Sequence, residues 1–290
     1  MPAFTVQELL ARLEDPRLAI FDCRFLLDAP DECQRQYLAA HVPGAVYVHL
    51  DRDMSAPKTG RNGRHPLPSP GVLVALMARL GISNDTDVVV YDAAGGGLAA
   101  SRLWWSLRYL GHDRVSFLDG GWPAWVAANA PTRAGDERRR RGVFVSRVRP
   151  EMAADIDATA RAARSSDWLV VDVRAASRYR GEEEPIDPVA GHVPGARHRF
   201  WQDNLTPDGH IRDKAELRAE FDALLGGVSP DHTIFYCGSG VTSAFLVFLL
   251  EDVGLPGARL YPGSWSEWCA DPARPVATGD PEPTRPAHGG

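Results

Sequence analysis

The sequence predicts an α/β protein made of two tandem domains, each a mainly parallel sheet flanked by helices. Three observations carry that prediction. Short apolar, β-favouring runs alternate with helical segments, the pattern of a parallel sheet covered by helices. One series of landmarks occurs twice in the same order, so a domain has been duplicated. The length of 290 residues is too great for one small core and suits two domains of common size.

In chain order, residues 5–14 open with Thr5 as a helix cap and Glu8 three positions on, a capping box, and Val6, Leu9, Leu10 and Leu13 share one helical face. Residues 18–23 read as a short buried strand, and the turn His41-Val42-Pro43-Gly44 leads into another. A polar loop rich in Gly, Pro, Arg and Lys fills 51–70. Residues 72–80 read as a helix, 88–91 as a strand, 99–110 as a helix and 115–118 as a strand ending at Asp119-Gly120-Gly121-Trp122. The series then returns. The strand at 169–174 echoes that at 18–23, and Gly191-His192-Val193-Pro194-Gly195-Ala196 repeats the His41 turn. Phe235-Tyr236-Cys237 aligns with Val90-Tyr91-Asp92, and Gly263-Ser264-Trp265-Ser266-Glu267-Trp268 with Gly120-Gly121-Trp122-Pro123-Ala124-Trp125. The expected division is a first domain at 1–135, a linker at 136–150 where charge, Gly and Pro replace periodic hydrophobicity, a second domain at 151–277, and a polar, loosely held tail at 278–290.

A net charge of −6 argues against a general nucleic-acid binder, and the basic run Arg138-Arg139-Arg140-Arg141 reads as a solvated linker face. No stretch has the build of a signal peptide or a membrane span, so no membrane partner is expected. The cysteines, Cys23, Cys33, Cys237 and Cys269, are scattered without a CxxC pair, which signals neither a zinc site nor a disulfide framework and fits a reducing cytoplasm. Trp104-Trp105 reads as core and interface packing.

The repeat separates architecture from chemistry. His41 and His192 occur in both copies and read as structural. Cys237 has Asp92 as its counterpart, so only the second copy can do thiol chemistry. Cys237 ends an apolar strand, enters the small-residue loop Gly238-Ser239-Gly240-Val241-Thr242 and is followed at once by an apolar helix. Loop N–H groups and the positive end of a helix both favour a thiolate, which makes Cys237 the expected nucleophile.

With these motifs assembled, the chain resembles the tandem-domain rhodanese family of sulfurtransferases. The resemblance spans residues 5–277 and rests on Asp172-x-Arg174, the Gly191 to Ala196 turn, Cys237-Gly238-Ser239-Gly240-Val241-Thr242 and Gly263-Ser264-Trp265-Ser266-Glu267-Trp268. It implies an inactive first domain, a catalytic second domain, and a Cys237 persulfide that carries sulfane sulfur from a small-molecule donor to a thiol, cyanide or thioredoxin-type acceptor, with no metal or organic cofactor. The neutral Gly238 and Ser239 are similar to the loop of the members that use 3-mercaptopyruvate, in which a serine works with a histidine and an aspartate. The matching positions are Ser239, His65 and Asp51. The resemblance also implies that Arg178 holds the substrate carboxylate, with Gly238, Gly240, Val241 and Thr242 around the sulfur. Those members carry a second arginine where this chain has Asp187; Arg61, Arg64 and Arg180 are the cations available to replace it. Alternatives are a thiosulfate:cyanide sulfurtransferase and a non-catalytic sulfur carrier or interaction module. A Cys-x5-Arg phosphatase is disfavoured because Ser243 stands where the arginine would be.

Overall fold

The computed structural model describes residues 3–280. The first half forms a parallel sheet of β1 (Leu18–Asp22), β2 (Ala45–Tyr47), β3 (Asp87–Tyr91) and β4 (Val115–Phe117) in the order β2-β1-β3-β4. The second half repeats it with β5 (Leu169–Asp172), β6 (Arg197–His198), β7 (Thr233–Tyr236) and β8 (Arg259–Leu260) in the order β6-β5-β7-β8. All eight pairing strands run parallel, because each pair is joined by a crossover rather than a hairpin.

Helices cover both sheets. In the first half these are α1 (Val6–Leu10), α2 (Glu32–Ala39), α3 (Leu50–Asp53), α4 (Pro70–Arg79), α5 (Ala99–Tyr109) and α6 (Gly121–Ala127). In the second they are α7 (Ile156–Ala162), α8 (Ala176–Arg180), α9 (Lys214–Leu225), α10 (Ser243–Asp252) and α11 (Ser264–Trp268). The capping box at Thr5 and Glu8 is formed as its spacing predicts. Sequence periodicity missed α2, where only Cys33 and Tyr37 are buried, so the apolar stripe is too thin to read. It also missed α9, although Asp213 caps its start and the left-handed Gly226 closes it.

The duplication extends to single bonds. Asp22 and Asp172 each bind an arginine two residues on, Arg24 and Arg174, at 2.6 Å, and those guanidinium groups lie over the rings of Trp122 and Trp265. His41 and His192 make equivalent 2.7 Å bonds to the carbonyl oxygens of Tyr37 and Tyr179 and stack on those rings. Trp125 and Trp268 donate to Pro131 and Pro275. These repeated contacts hold the ends of each sheet in place.

The halves meet along α5 and α10. Helix α10 is buried on every side from Ser243 to Leu250 because its own sheet covers one face and α5 the other. Trp104 packs edge-on against Phe248 across this junction, and Phe117 against Phe245 and Phe248. Each half also sends a loop into the other. Arg64 donates its N–H to Ser266, while Ile211 and His210 both bind Asp119. The join from 128 to 149 has no helix or strand. The solvated reading of the four-arginine run needs one correction: Arg139 is half-buried and donates to the carbonyl of Leu18, whereas Arg138, Arg140 and Arg141 are exposed. The proposed tail lies mostly outside the described residues; within them Gly279 donates to the carbonyl of Arg180.

Candidate active site

Strand β7 ends at Tyr236, so Cys237 emerges at the carboxyl edge of the second sheet, where parallel α/β sheets place their ligands. The five residues that follow turn tightly into α10. Gly240 has φ +70°, and a Cβ there would fall 2.1 Å from the carbonyl oxygen of Pro262, so no other residue fits that turn. The turn wraps N–H groups around sulfur: the Val241 N–H lies 3.3 Å from Cys237 Sγ, and the Ser243 hydroxyl lies 3.4 Å from it. Burial alone pushes the Cys237 thiol up. Hydrogen bonds from the hydroxyls of Ser243 and Thr242 and from loop N–H groups outweigh it, and the thiol sits below its ordinary value. Cys23, Cys33 and Cys269 lack this cradle, and burial raises all three.

The sister loop shows what the cradle is for. Asp92 places one carboxylate oxygen on the N–H groups of Ala94 and Gly96 and the other on those of Leu98 and Ala100, at 2.8–3.2 Å. The first copy therefore fills its anion nest with its own side chain, and the second offers the same nest to sulfur.

Across the cleft the first domain supplies a polar chain. Ser239 Oγ lies 2.7 Å from His65 Nδ1, joining residues from opposite halves. His65 Nε2 faces Asp51 Oδ1 at 3.4 Å, longer than a formed hydrogen bond, and that carboxylate oxygen also lies 3.3 Å from the Lys58 ammonium. Such pairs commonly tighten only when substrate binds. Burial pushes His65 down to about 3 against the opposing pull of Asp51, with Arg102 and Arg64 adding to the fall, so the imidazole is neutral. A proton on Nε2 leaves Nδ1 to accept from the Ser239 hydroxyl.

Two guanidinium groups complete the floor. A Cβ on Gly238 would lie 2.7 Å from Arg64 Nη2 and 3.8 Å from both terminal nitrogens of Arg178, so both cations converge on the backbone beside Cys237. Asp187 joins them: Arg64 donates to one of its oxygens and Arg178, at 3.1 Å, to the other. Of the three cations available to replace the second arginine, Arg64 is the one at the site. Arg61 is exposed and lies beside Glu267 and Arg274, and Arg180 pairs with Glu182 in solvent.

Arg64, His65, Arg178, Cys237 and Ser239 line a cavity of about 380 Å³. Its floor holds Cys237, Gly238, Ser239 and the arginines, and its walls are apolar, with Phe25, Leu26, Leu50, Leu98, Phe200 and Trp201 drawn from both halves. The wall residues escaped sequence reading because they are scattered through both copies with no motif. Among the described residues no cluster of His, Cys, Asp and Glu could hold a metal ion, and no helix is long and apolar enough to cross a membrane.

Residues 5–128 and 155–271 both match the family described as Rhodanese-like domain. The chain belongs to the rhodanese family. It is 46% identical over 280 residues, covering 95% of this chain and 98% of the relative, to a probable 3-mercaptopyruvate sulfurtransferase of Pseudomonas aeruginosa. It is 39% identical over 282 residues, 95% of this chain and 96% of the relative, to SseB of Mycobacterium tuberculosis, a putative thiosulfate sulfurtransferase. Among solved structures, SseA of Escherichia coli, described as a 3-mercaptopyruvate sulfotransferase, superposes with TM-score 0.78 at 30% identity over 91% of this chain and 98% of that one. This rhodanese-family chain is thus a sulfurtransferase with two rhodanese-like units, each an α/β domain with a parallel sheet.

Proposed function

We propose that this sulfurtransferase takes sulfane sulfur from 3-mercaptopyruvate, holds it as a Cys237 persulfide and passes it to a thiol or cyanide. The observation that carries the reading is the Ser239–His65 pair at 2.7 Å beside the cysteine, a neutral pair suited to a donor carbonyl. The Cys237 thiolate attacks the donor sulfur, the carbon–sulfur bond breaks, and its electron pair leaves as the enolate of pyruvate. As charge develops, the Ser239 hydroxyl turns its hydrogen from His65 Nδ1 to the enolate oxygen, with His65 and Asp51 behind it, and a proton from solvent completes pyruvate. Arg178 and Arg64 hold the donor carboxylate, the guanidinium fork suiting that group. The outer sulfur then rests among the N–H groups of Gly238, Gly240, Val241 and Thr242 until an acceptor nucleophile attacks it and Cys237 leaves as thiolate, giving ping-pong kinetics. A thioredoxin-type dithiol is one acceptor this chemistry admits, and the cytoplasm a compartment that would keep Cys237 reduced.

Thiosulfate is the competing donor, and SseB bears that name. The carboxylate of Asp187 between Arg64 and Arg178 offsets the positive charge that a dianion would need, which favours the monoanionic donor. The deciding experiment compares kcat/KM for the two donors with cyanide as acceptor, in the parent protein and in Ser239→Ala. A preference for 3-mercaptopyruvate that Ser239→Ala erases supports the proposal; a preference for thiosulfate untouched by Ser239→Ala contradicts it.

A further inference from the structure

Arg102 sits in α5 of the first domain, fully buried and with no carboxylate paired to it: burial pulls the guanidinium down to about 10, and the one charge that opposes the fall is Cys237. The other arginines around the cavity are all compensated. Arg174 pairs with Asp172 and Glu184, Arg178 with Glu184 and Asp187, and Arg64 with Asp187. A buried cation without a partner costs several kcal/mol in general, so such a group persists where something else needs it.

Its contacts show what that is. Nη1 donates to the carbonyl of Gly240 at 2.8 Å, and Nη2 to the carbonyl of His65 at 3.0 Å, while Nε has no hydrogen-bond partner. The Gly240 carbonyl belongs to the same planar peptide as the Val241 N–H, and in a trans peptide the two point in opposite directions. Arg102 pulling on the oxygen therefore aims the N–H at Cys237 Sγ, the 3.3 Å contact described above. Ser101, the preceding residue of α5, places its hydroxyl 2.9 Å from the Val241 carbonyl and 2.6 Å from that of Leu98. The corresponding stretch of the second copy, Phe245-Leu246-Val247-Phe248, is wholly apolar, so the device belongs to one side of the pseudo-symmetric pair.

We infer that Arg102 is a positioning residue for sulfur transfer: its carboxylate-free guanidinium fixes the Gly240–Val241 peptide with its N–H on Cys237, ties that loop to His65 across the domain junction, and supplies the counter-charge of the sulfur anion. The inference rests on Cys237 being the nucleophile, which is checked separately by whether the parent protein takes up donor sulfur at that residue.

The test is the pH dependence of Cys237 alkylation by iodoacetamide, followed on the Cys237 peptide by mass spectrometry, in the parent, Arg102→Met and Arg102→Lys. The alkylation needs no sulfur donor; the kcat/KM comparison uses 3-mercaptopyruvate with cyanide as acceptor. Arg102→Met is expected to raise the apparent thiol pKa by about one unit or more, so that alkylation at neutral pH slows about tenfold and recovers at alkaline pH. Arg102→Lys restores the charge and brings the titration back toward the parent, but its compact ammonium cannot bridge both carbonyls, and kcat/KM stays below the parent value. Arg102→Gln provides a second neutral variant should Arg102→Met not fold. A parent-like titration in either neutral variant, whatever its activity, overturns the inference and leaves Arg102 as interface packing; parent kcat/KM in Arg102→Lys overturns the bridging role.

Discussion

Cys237 is set apart by a hydroxyl and a loop N–H aimed together at sulfur, which bring its thiol below its ordinary value, whereas burial raises Cys23, Cys33 and Cys269. The pH dependence follows in sign. The thiolate is the reactive form, so kcat/KM is expected to rise with pH through the Cys237 titration and level off above it, with that midpoint lower than for an ordinary cysteine. His65, held at about 3, is already neutral throughout, so no second acid limb belongs to it near pH 6.5. A pH–rate profile of kcat/KM checks both points. Ser239→Ala and His65→Gln are each expected to lower kcat for 3-mercaptopyruvate by about a hundredfold, the usual scale for loss of a proton-transfer group, with little effect on folding. Steady-state kinetics with cyanide would read this directly. At this scale the sequence was highly legible. Cys237 was readable from the repeat and its loop, and Ser239, His65 and Asp51 from the family resemblance; the structure brings Ser239 and His65 together beside Cys237, with Asp51 near His65. Arg102 was missed because a single charge near the start of a helix reads as an exposed face, and only the fold shows it fully buried.

Between β7 and α10 the loop works as a unit, and its glycines set the shape. Gly240→Ala puts a methyl group against the backbone of Pro262 in a left-handed conformation, and about 2–4 kcal/mol of stability is the expected loss, with the nest distorted even where the chain still folds. Thermal unfolding measured together with Cys237 alkylation separates the two effects. Gly238 has a different task, since a side chain there would displace the Arg64 guanidinium. The sequence made the loop recognisable by composition, but it could not say that Gly238 leaves room for a cation from the other domain. That information lies in the approach of two segments far apart in the chain.

The whole molecule is a pair of similar halves in which one nest is filled by Asp92 and the other is left for sulfur. Fold class and duplication were readable because landmarks recur in order, and the structure reproduces them down to the paired histidines and arginines. The replacement for the second arginine was not readable: Asp187 looked like a lost cation, whereas in three dimensions it joins Arg178 to Arg64 from the opposite domain. Arg64→Ala is therefore expected to raise KM for 3-mercaptopyruvate by about tenfold with a smaller change in kcat, since the proposed role of Arg64 is to hold the carboxylate and not the reacting atoms. Initial-rate kinetics over a donor range would show the split. The central claim, one sulfur-carrying cysteine served by both halves, is tested most directly by the intact mass of the protein before and after one equivalent of 3-mercaptopyruvate without acceptor. The account predicts a gain of one sulfur atom, mapped to Cys237, absent in Cys237→Ser and slowed in His65→Gln. A protein that gains no sulfur, or a Cys237→Ser variant that gains it equally, would contradict the account.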